Sequence, residues 1–441
     1  MKKNDLLTLT ITDMNDLGCG VGHAEGKAVF VKNTVTGEIW ETKIIKDAGR
    51  YFVAIPLRRL SSSGRRSSAC CASFPQCGGC AFSHVVYPYE KELKQGFVRS
   101  YLRKERLGEV EVLPVKSTGK IAGYRNKVQF PCQNGAVGYF AAHSHRIVTD
   151  TRCALHLPEM QELLDALAAF VDNEHVSCYD EVCRTGLLRH ICLRANADGS
   201  AMLLTLVLNG RTFPKEQALF ALLDRFPAVR GVFYNVNEQN TNVILGEEYI
   251  HARGDEVLVD TLLGCSFELS PASFYQVNHD ACELLYKEVI ARAGDCTDKT
   301  VADLFCGVGT IGICLAKHAP VGRLIGVEIV PQAVENAKRN AARNGVQNAE
   351  FYCGDANHPA LERADVVIVD PPRKGLDEEL IAHLTALPAL KKIVYASCAP
   401  DTLARDLRRF RDRGWTLGEV QPVDMFPRTG HIECVISISR Q

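Results

Sequence analysis

No stretch of this sequence is long and apolar enough to cross a membrane, and no secretory leader is expected. Met1-Lys2-Lys3-Asn4 runs straight into a strand-like pattern. A cytoplasmic chain with no membrane partner is expected. Net charge is missing too: Lys and Arg total 51 against 52 Asp and Glu, so the formal charge of -1 names no partner. One region departs from that balance. From Ser61 to Phe130 there are 12 Lys/Arg and 5 Asp/Glu among many aromatics, the composition of a polyanion-facing surface or of a solvated face. Cysteine, by contrast, is plentiful, at 18 residues. In a reducing compartment, clustered thiols point to metal or catalysis more often than to disulfides. Cys192, Cys265, Cys314 and Cys434 lie in apolar contexts and read as core. At 441 residues, two or three domains are expected.

The organising stretch is Asp303-Leu304-Phe305-Cys306-Gly307-Val308-Gly309-Thr310-Ile311-Gly312. A buried strand precedes it and an apolar run of helical length follows. Strand, glycine-rich turn and helix open the nucleoside-binding half of a doubly wound α/β domain. Glycine turns also serve plain structural roles, but the next strand ends in Glu328, where a ribose diol is usually held. Asp355 and Asp370 follow further strands, so three acidic strand ends are expected around one crevice. Ribose recognition with no sign of a pyrophosphate site favours S-adenosylmethionine over a dinucleotide.

Before this domain the chain reads in segments. Leu6 to Pro56 alternates in short runs broken by glycine, as in a small barrel of the oligonucleotide-binding (OB-like) kind or a β-unit without a ligand. Ser61 to Ser68 reads as a flexible cationic linker. Cys71, Cys77 and Cys80 follow as C-x5-C-x2-C, with Cys153 far downstream. Such thiolates can hold an iron–sulfur cluster, and spacing leaves a four-thiolate zinc site equally open. Tyr89 to Arg106 reads as a charged helix. An α+β region runs to about Ser270, with helices expected over Leu155 to Val171 and Pro214 to Phe226. In the loop Ser270 to Asn278, Phe274 and Gln276 can stack on a base and bond its edge, or fill the core and cap the next helix.

Three residues near the end carry potential chemistry. Cys398 ends a predicted strand just before a helix, where helix-end amides lower a thiol pKa and make a nucleophile; a buried inert cysteine is the alternative. Glu433 begins the last strand, as a base of raised pKa or a surface carboxylate. Asp370-Pro371-Pro372-Arg373 places an arginine where amino-group methyltransferases carry an aromatic, which argues against exocyclic-amine methylation.

Together these motifs, with Gly430-His431-Ile432-Glu433 and Ser397-Cys398-Ala399-Pro400, resemble the RNA 5-methyluridine (uracil-C5) methyltransferase family over nearly the whole chain. The resemblance is nearest to bacterial 23S ribosomal RNA members with a TRAM domain and a [4Fe-4S] cluster. It implies three parts: a TRAM/OB-like RNA-binding barrel over 1–60, a central α+β RNA-binding domain with an iron–sulfur loop over 61–270, and a Rossmann-like S-adenosylmethionine-dependent methyltransferase domain over 271–441. It further implies a monomer that binds RNA, with S-adenosyl-L-methionine and a [4Fe-4S] cluster as cofactors. Cys71, Cys77, Cys80 and Cys153 would hold the cluster, although Cys70 makes the first ligand ambiguous. Gln276, Phe305, Glu328 and Asp370 would line the donor site, and Phe274 would pack against the target uracil. Cys398 would add to C6 of that uracil, and Glu433 would remove the C5 proton. Transfer-RNA uracil methylation and a non-catalytic RNA-binding assembly role are the competing expectations.

Overall fold

The architecture is described from a computed structural model of residues 1–440, except His143, Thr151 and Thr241. Residues 6–61 form a six-stranded sheet curved around Leu9, Ile11, Val31, Ile44 and Phe52. The segment after it is not a flexible linker. Glu38 is fully buried and needs a cation, and Arg66 answers it, with Nη2 donating to Oε2 at 2.9 Å and to the Asn33 carbonyl at 2.8 Å. Indole Nε1 of Trp40 and the Val35 N–H also donate to the carboxylate, each at 2.8 Å.

Helix Tyr87–Lys104 packs Val98 and Leu102 into the core formed by Leu304, Val369, Leu403 and Ile432, far away in sequence. The middle of the chain builds a six-stranded sheet running, edge to edge, 248–254, 229–236, 202–208, 188–195, 127–133 and 136–137. Helices Gln161–Asn173 and Glu216–Leu223 cover one face of it through Leu163, Leu167 and Leu219. The first of these starts later than its apolar pattern suggests. Pro158 holds Leu157 in an extended conformation, so a 3-10 turn, Pro158–Met160, must intervene. The hairpin Leu258–Leu262 and Cys265–Leu269 packs into the carboxyl-terminal core.

That core surrounds an α/β sheet of the Rossmann-like methyltransferase kind. Its seven main strands, counted in chain order from Cys296–Leu304, lie 3-2-1-4-5-7-6. The first five are parallel, while Glu433–Arg440 runs antiparallel beside Lys392–Ser397. Continuous apolar runs such as Val366–Val369 form these strands because helices bury both faces. The order reverses between strands 1 and 4, and a crevice opens at their carboxyl ends. Among the described residues no helix is long and apolar enough to cross a membrane.

Candidate active site

The turn after Cys296–Leu304 is shaped by its backbone. Gly309 caps helix Thr310–His318 at φ +82°, and a Cβ there would come within 2.9 Å of Ile313 and 3.2 Å of Phe351. Phe305 also has positive φ, +61°, which costs an aromatic residue about 1–3 kcal/mol and occurs mostly where geometry serves a site. Two carboxylates fix the turn from below. Asp303 accepts from the Gly312 N–H at 2.9 Å, and burial pushes its carboxyl up to about 7. Glu328 accepts from the Gly307 N–H at 3.1 Å and the Val330 N–H at 2.9 Å, so its side chain is aimed at the crevice mouth. Asp355 follows strand Ala349–Cys353 at the same carboxyl end of the sheet. It is exposed, and its carboxylate folds back onto the amide of Asn357 at 2.9 Å.

Sheet register places the reactive groups. Ser397 lies opposite Cys434, so the next residue pair outward is Cys398 and Glu433. Val369 lies opposite Tyr395 on the other side, which brings Asp370 to the same end. Glu433 is 3% exposed; burial first, then Asp370, pushes its carboxyl up to about 8, against Arg373. Asp370 keeps some surface open to the crevice, yet the depth of the crevice desolvates it and raises it to about 7. Cys398 is half-buried. The expected lowering of its pKa by helix-end amides does not occur. Burial, then Glu433 and Asp370, push the thiol up to about 11, with Arg373 opposing. Two raised carboxylates beside a raised thiol form an acid–base cluster in which at most some members can be charged at once.

A cavity of about 300 Å³ opens on Cys398, and its other walls come from remote parts of the chain: Asp16, Phe97, Tyr101, Arg373 and His431. Asp16 belongs to the amino-terminal sheet. A Cβ at Gly430 would lie 1.9 Å from its carbonyl, and Tyr101 Oη donates to its carboxylate at 3.2 Å. The loop leading to Glu433 is further tied to helix Tyr87–Lys104 by buried charges. Lys94 pairs with Asp424 at 2.8 Å and Glu90 at 2.9 Å, and the Arg428 N–H donates to Glu90 at 2.7 Å. Asp16, Phe97 and Tyr101 have no local sequence signal, whereas Arg373 and His431 lie in motifs quoted from the sequence.

The loop before helix His279–Ala293 is pinned at both ends. Ser273 Oγ accepts from the Ser270 N–H at 3.1 Å, and Asn278, not Gln276, caps the helix by accepting from the Ala281 N–H at 3.3 Å. Gln276 is buried, and Phe274 is 75% exposed. Away from this crevice, Cys71, Cys77, Cys80 and Cys153 line a single cavity of about 70 Å³ with Cys70, Tyr139 and His156. Burial raises Cys77 and Cys153, and pushes Cys80 up to about 12. Among the described residues no three Cys, His, Asp or Glu side chains converge on one point as a single metal ion requires.

A family model described as a methyltransferase domain matches residues 296–410. The chain is 36% identical over 449 residues to an uncharacterized RNA methyltransferase of Halalkalibacterium halodurans, covering 99% of this chain and 97% of the relative. It is 35% identical over 452 residues to a second, from Oceanobacillus iheyensis, covering 100% and 97%. Among solved structures, the Pyrococcus abyssi tRNA (uracil-54, C5)-methyltransferase in complex with S-adenosyl-L-homocysteine matches with a TM-score of 0.80 at 27% identity, covering 98% of this chain and 99% of that one.

Proposed function

This chain belongs to the S-adenosylmethionine-dependent RNA methyltransferases, and we propose that it methylates C5 of uracil in 23S ribosomal RNA. The observation that carries the uracil-C5 chemistry is the register that sets Cys398 beside Glu433; the choice of 23S ribosomal RNA rests on the family resemblance of the sequence motifs. Uracil C5 is too poor a nucleophile to take a methyl group unaided. The Cys398 thiolate adds to C6, which turns the ring into an enolate whose C5 is nucleophilic. Of the groups around Cys398, Asp370 takes the thiol's proton as sulfur adds, which leaves Glu433 unprotonated for the later step. Once C5 carries the methyl group, Glu433 removes its proton and the thiolate leaves. S-adenosyl-L-methionine, when bound, supplies the methyl group as an electrophilic sulfonium. Gln276, Phe305, Glu328 and Asp370 are the residues proposed to hold it: the glycine turn leaves the backbone open to a ligand, and Glu328 is aimed where a ribose would lie. Phe274 is free to stack on a base that has left its helix, returning about 1–3 kcal/mol of the unstacking cost.

The amino-terminal sheet is assigned as a TRAM-type RNA-binding unit, and the thiol cavity as the seat of a [4Fe-4S] cluster. What supports a four-thiolate site is that Cys71, Cys77, Cys80 and Cys153 line one cavity. Anaerobically prepared protein is expected to be brown with about four irons per chain; colourless protein containing zinc overturns that assignment.

A second reading is transfer-RNA uracil methylation, favoured by the solved structure of the Pyrococcus abyssi enzyme. One experiment separates the two. Labelled methyl donor is supplied with unmodified 23S ribosomal RNA or with unmodified transfer RNA, and the digests are searched for 5-methyluridine. Product in ribosomal RNA is expected. Product confined to transfer RNA transfers the assignment, and no methyl transfer to either removes it.

A further inference from the structure

The cavity that opens on Cys398 has two carboxylates in its walls that the chemistry above does not use, Asp16 and Asp401. Asp401 stands exposed in the first turn of helix Pro400–Arg411, where an acidic residue serves the helix itself. Asp16 has no helix to serve. It lies in a tight turn of the amino-terminal sheet, and that turn is fixed from within and from both flanks. Inside it, the Asn15 carboxamide oxygen accepts from the Cys19 N–H at 2.8 Å, and the Gly18 N–H donates to the Asn15 carbonyl at 3.0 Å. On one flank Gly18 has φ +73°, and a Cβ there would lie 2.1 Å from the Ala81 carbonyl oxygen. On the other, the Asp16 carbonyl rests against Gly430, in the loop that leads to Glu433.

The Asp16 side chain is half-buried, and Oδ2 accepts from Tyr101 Oη at 3.2 Å. Tyr101 is a wall of the same cavity, so the carboxylate it orients is turned that way. Oδ1 accepts no hydrogen bond among the described residues, and it is not sealed from solvent. A fixed carboxylate with one open oxygen repels the phosphates of an entering strand, and Arg373 in the same wall stands against that repulsion. What such a group can do for an RNA strand is accept a hydrogen bond.

The reaction says from which donor. A sulfur bonded to C6 of uracil sits beside N1, the ring atom that carries the sugar. Only N1, C1′ and C2′ separate C6 from the 2′-hydroxyl, whereas N3–H, the base's own donor, lies across the ring. The space next to the Cys398 sulfur is therefore filled by ribose and not by the N3–H edge. We propose that Asp16 Oδ1 accepts from the 2′-hydroxyl of the target nucleotide, so that the amino-terminal sheet checks for ribose at the reacting position. The inference rests on the addition of Cys398 to uracil C6 proposed above. Asp16 binds substrate, and Tyr101 is a positioning residue that holds Asp16. A hydroxyl donating to a carboxylate tells RNA from DNA and carries no information about the base.

The test uses the full chain, methyl-labelled S-adenosylmethionine and a short RNA whose target uridine has been mapped by labelling. The target carries either ribose or a 2′-fluoro sugar, which keeps an RNA-like pucker but donates no proton. The wild type should lose about 10–100-fold in kcat/KM on the fluoro strand, the size of one hydrogen bond to a charged group. The loss should fall on KM, as for a contact made equally before and during the reaction. Asp16→Ala should lose as much on the ribose strand and then be indifferent to the fluorine. Asp16→Asn keeps an acceptor oxygen and should fall between the two, unfolding within a few degrees of the wild type. A wild type indifferent to fluorine at the target, or an Asp16→Ala protein still as sensitive as the wild type, overturns the assignment. So does an Asp16→Ala protein that keeps the fluorine sensitivity and begins to methylate cytidine, which would put the carboxylate on the base edge. The digests keep the two readings apart. A labelled product other than 5-methyluridine overturns the chemistry proposed above, whereas 5-methyluridine formed equally well on both strands overturns the role of Asp16 alone.

Discussion

Cys398 on one side and Cys77, Cys80 and Cys153 on the other are raised by burial, but their companions differ in kind. Beside Cys398 stand the carboxylates of Glu433 and Asp370, opposed by Arg373. Beside Cys80 stand other thiols, Cys153, Cys77 and Cys70. A carboxylate of raised proton affinity can take a proton from a thiol and give it back, so the first site can cycle. Thiols facing thiols have no such acceptor and become thiolates when a metal displaces their protons. On this reading the chain makes one thiolate afresh in each turnover and the other set once, at assembly.

The largest effect should come from breaking the first site. Cys398→Ala is expected to lower methyl transfer by about 10⁴-fold or more, read with labelled donor; activity within tenfold of wild type would erase the contrast between the two sets of thiols. Glu433→Gln should cost about 10²–10⁴-fold in turnover, because the C5 proton then lacks its acceptor. In a gel assay that variant should also accumulate protein-linked RNA, and unhindered turnover would take the base role away from Glu433.

Acidity sharpens the comparison further. Burial raises Asp370 to about 7 and Glu433 to about 8, so their basic forms are scarce in mild acid and grow as pH rises. Methyl transfer should climb by up to about tenfold per unit from pH 6 and level off above about 8. Iron content, which depends on no carboxylate, should not follow that curve. A flat rate profile would separate the carboxylates from the chemistry. The smallest change is expected where the amino-terminal sheet meets the pocket. Tyr101→Phe loses one hydrogen bond to a charged, partly open group, about 1.5–3 kcal/mol at most in thermal unfolding, with methyl transfer at high RNA concentration little altered. A large loss of turnover would move Tyr101 into the reaction.

The carboxyl-terminal sheet was legible because its signals are local: short apolar runs, a glycine turn, and acidic residues just past the strands that carry them. Glu433 was only half legible: the sequence left it between a base of raised pKa and a surface carboxylate, and the structure buries it. The direction of the Cys398 shift was not legible. It depends first on burial and then on two carboxylates delivered by other strands, while the sequence shows only the adjacent helix. The same holds for Arg66, which looks like part of a solvated linker until Glu38 is found buried beneath it. Asp16 and Tyr101 reach the pocket through contacts between segments far apart in the chain, which no periodicity encodes.

The central claim is that the Cys398 sulfur becomes bonded to the target base during turnover. RNA carrying 5-fluorouridine at the target position tests it directly, because fluorine cannot leave C5 as a proton and the bonded state persists. Mass spectrometry of the trapped complex should find the RNA fragment and one added methyl group on the peptide containing Cys398. A trapped fragment on any other residue, or full turnover with no adduct, would contradict the account.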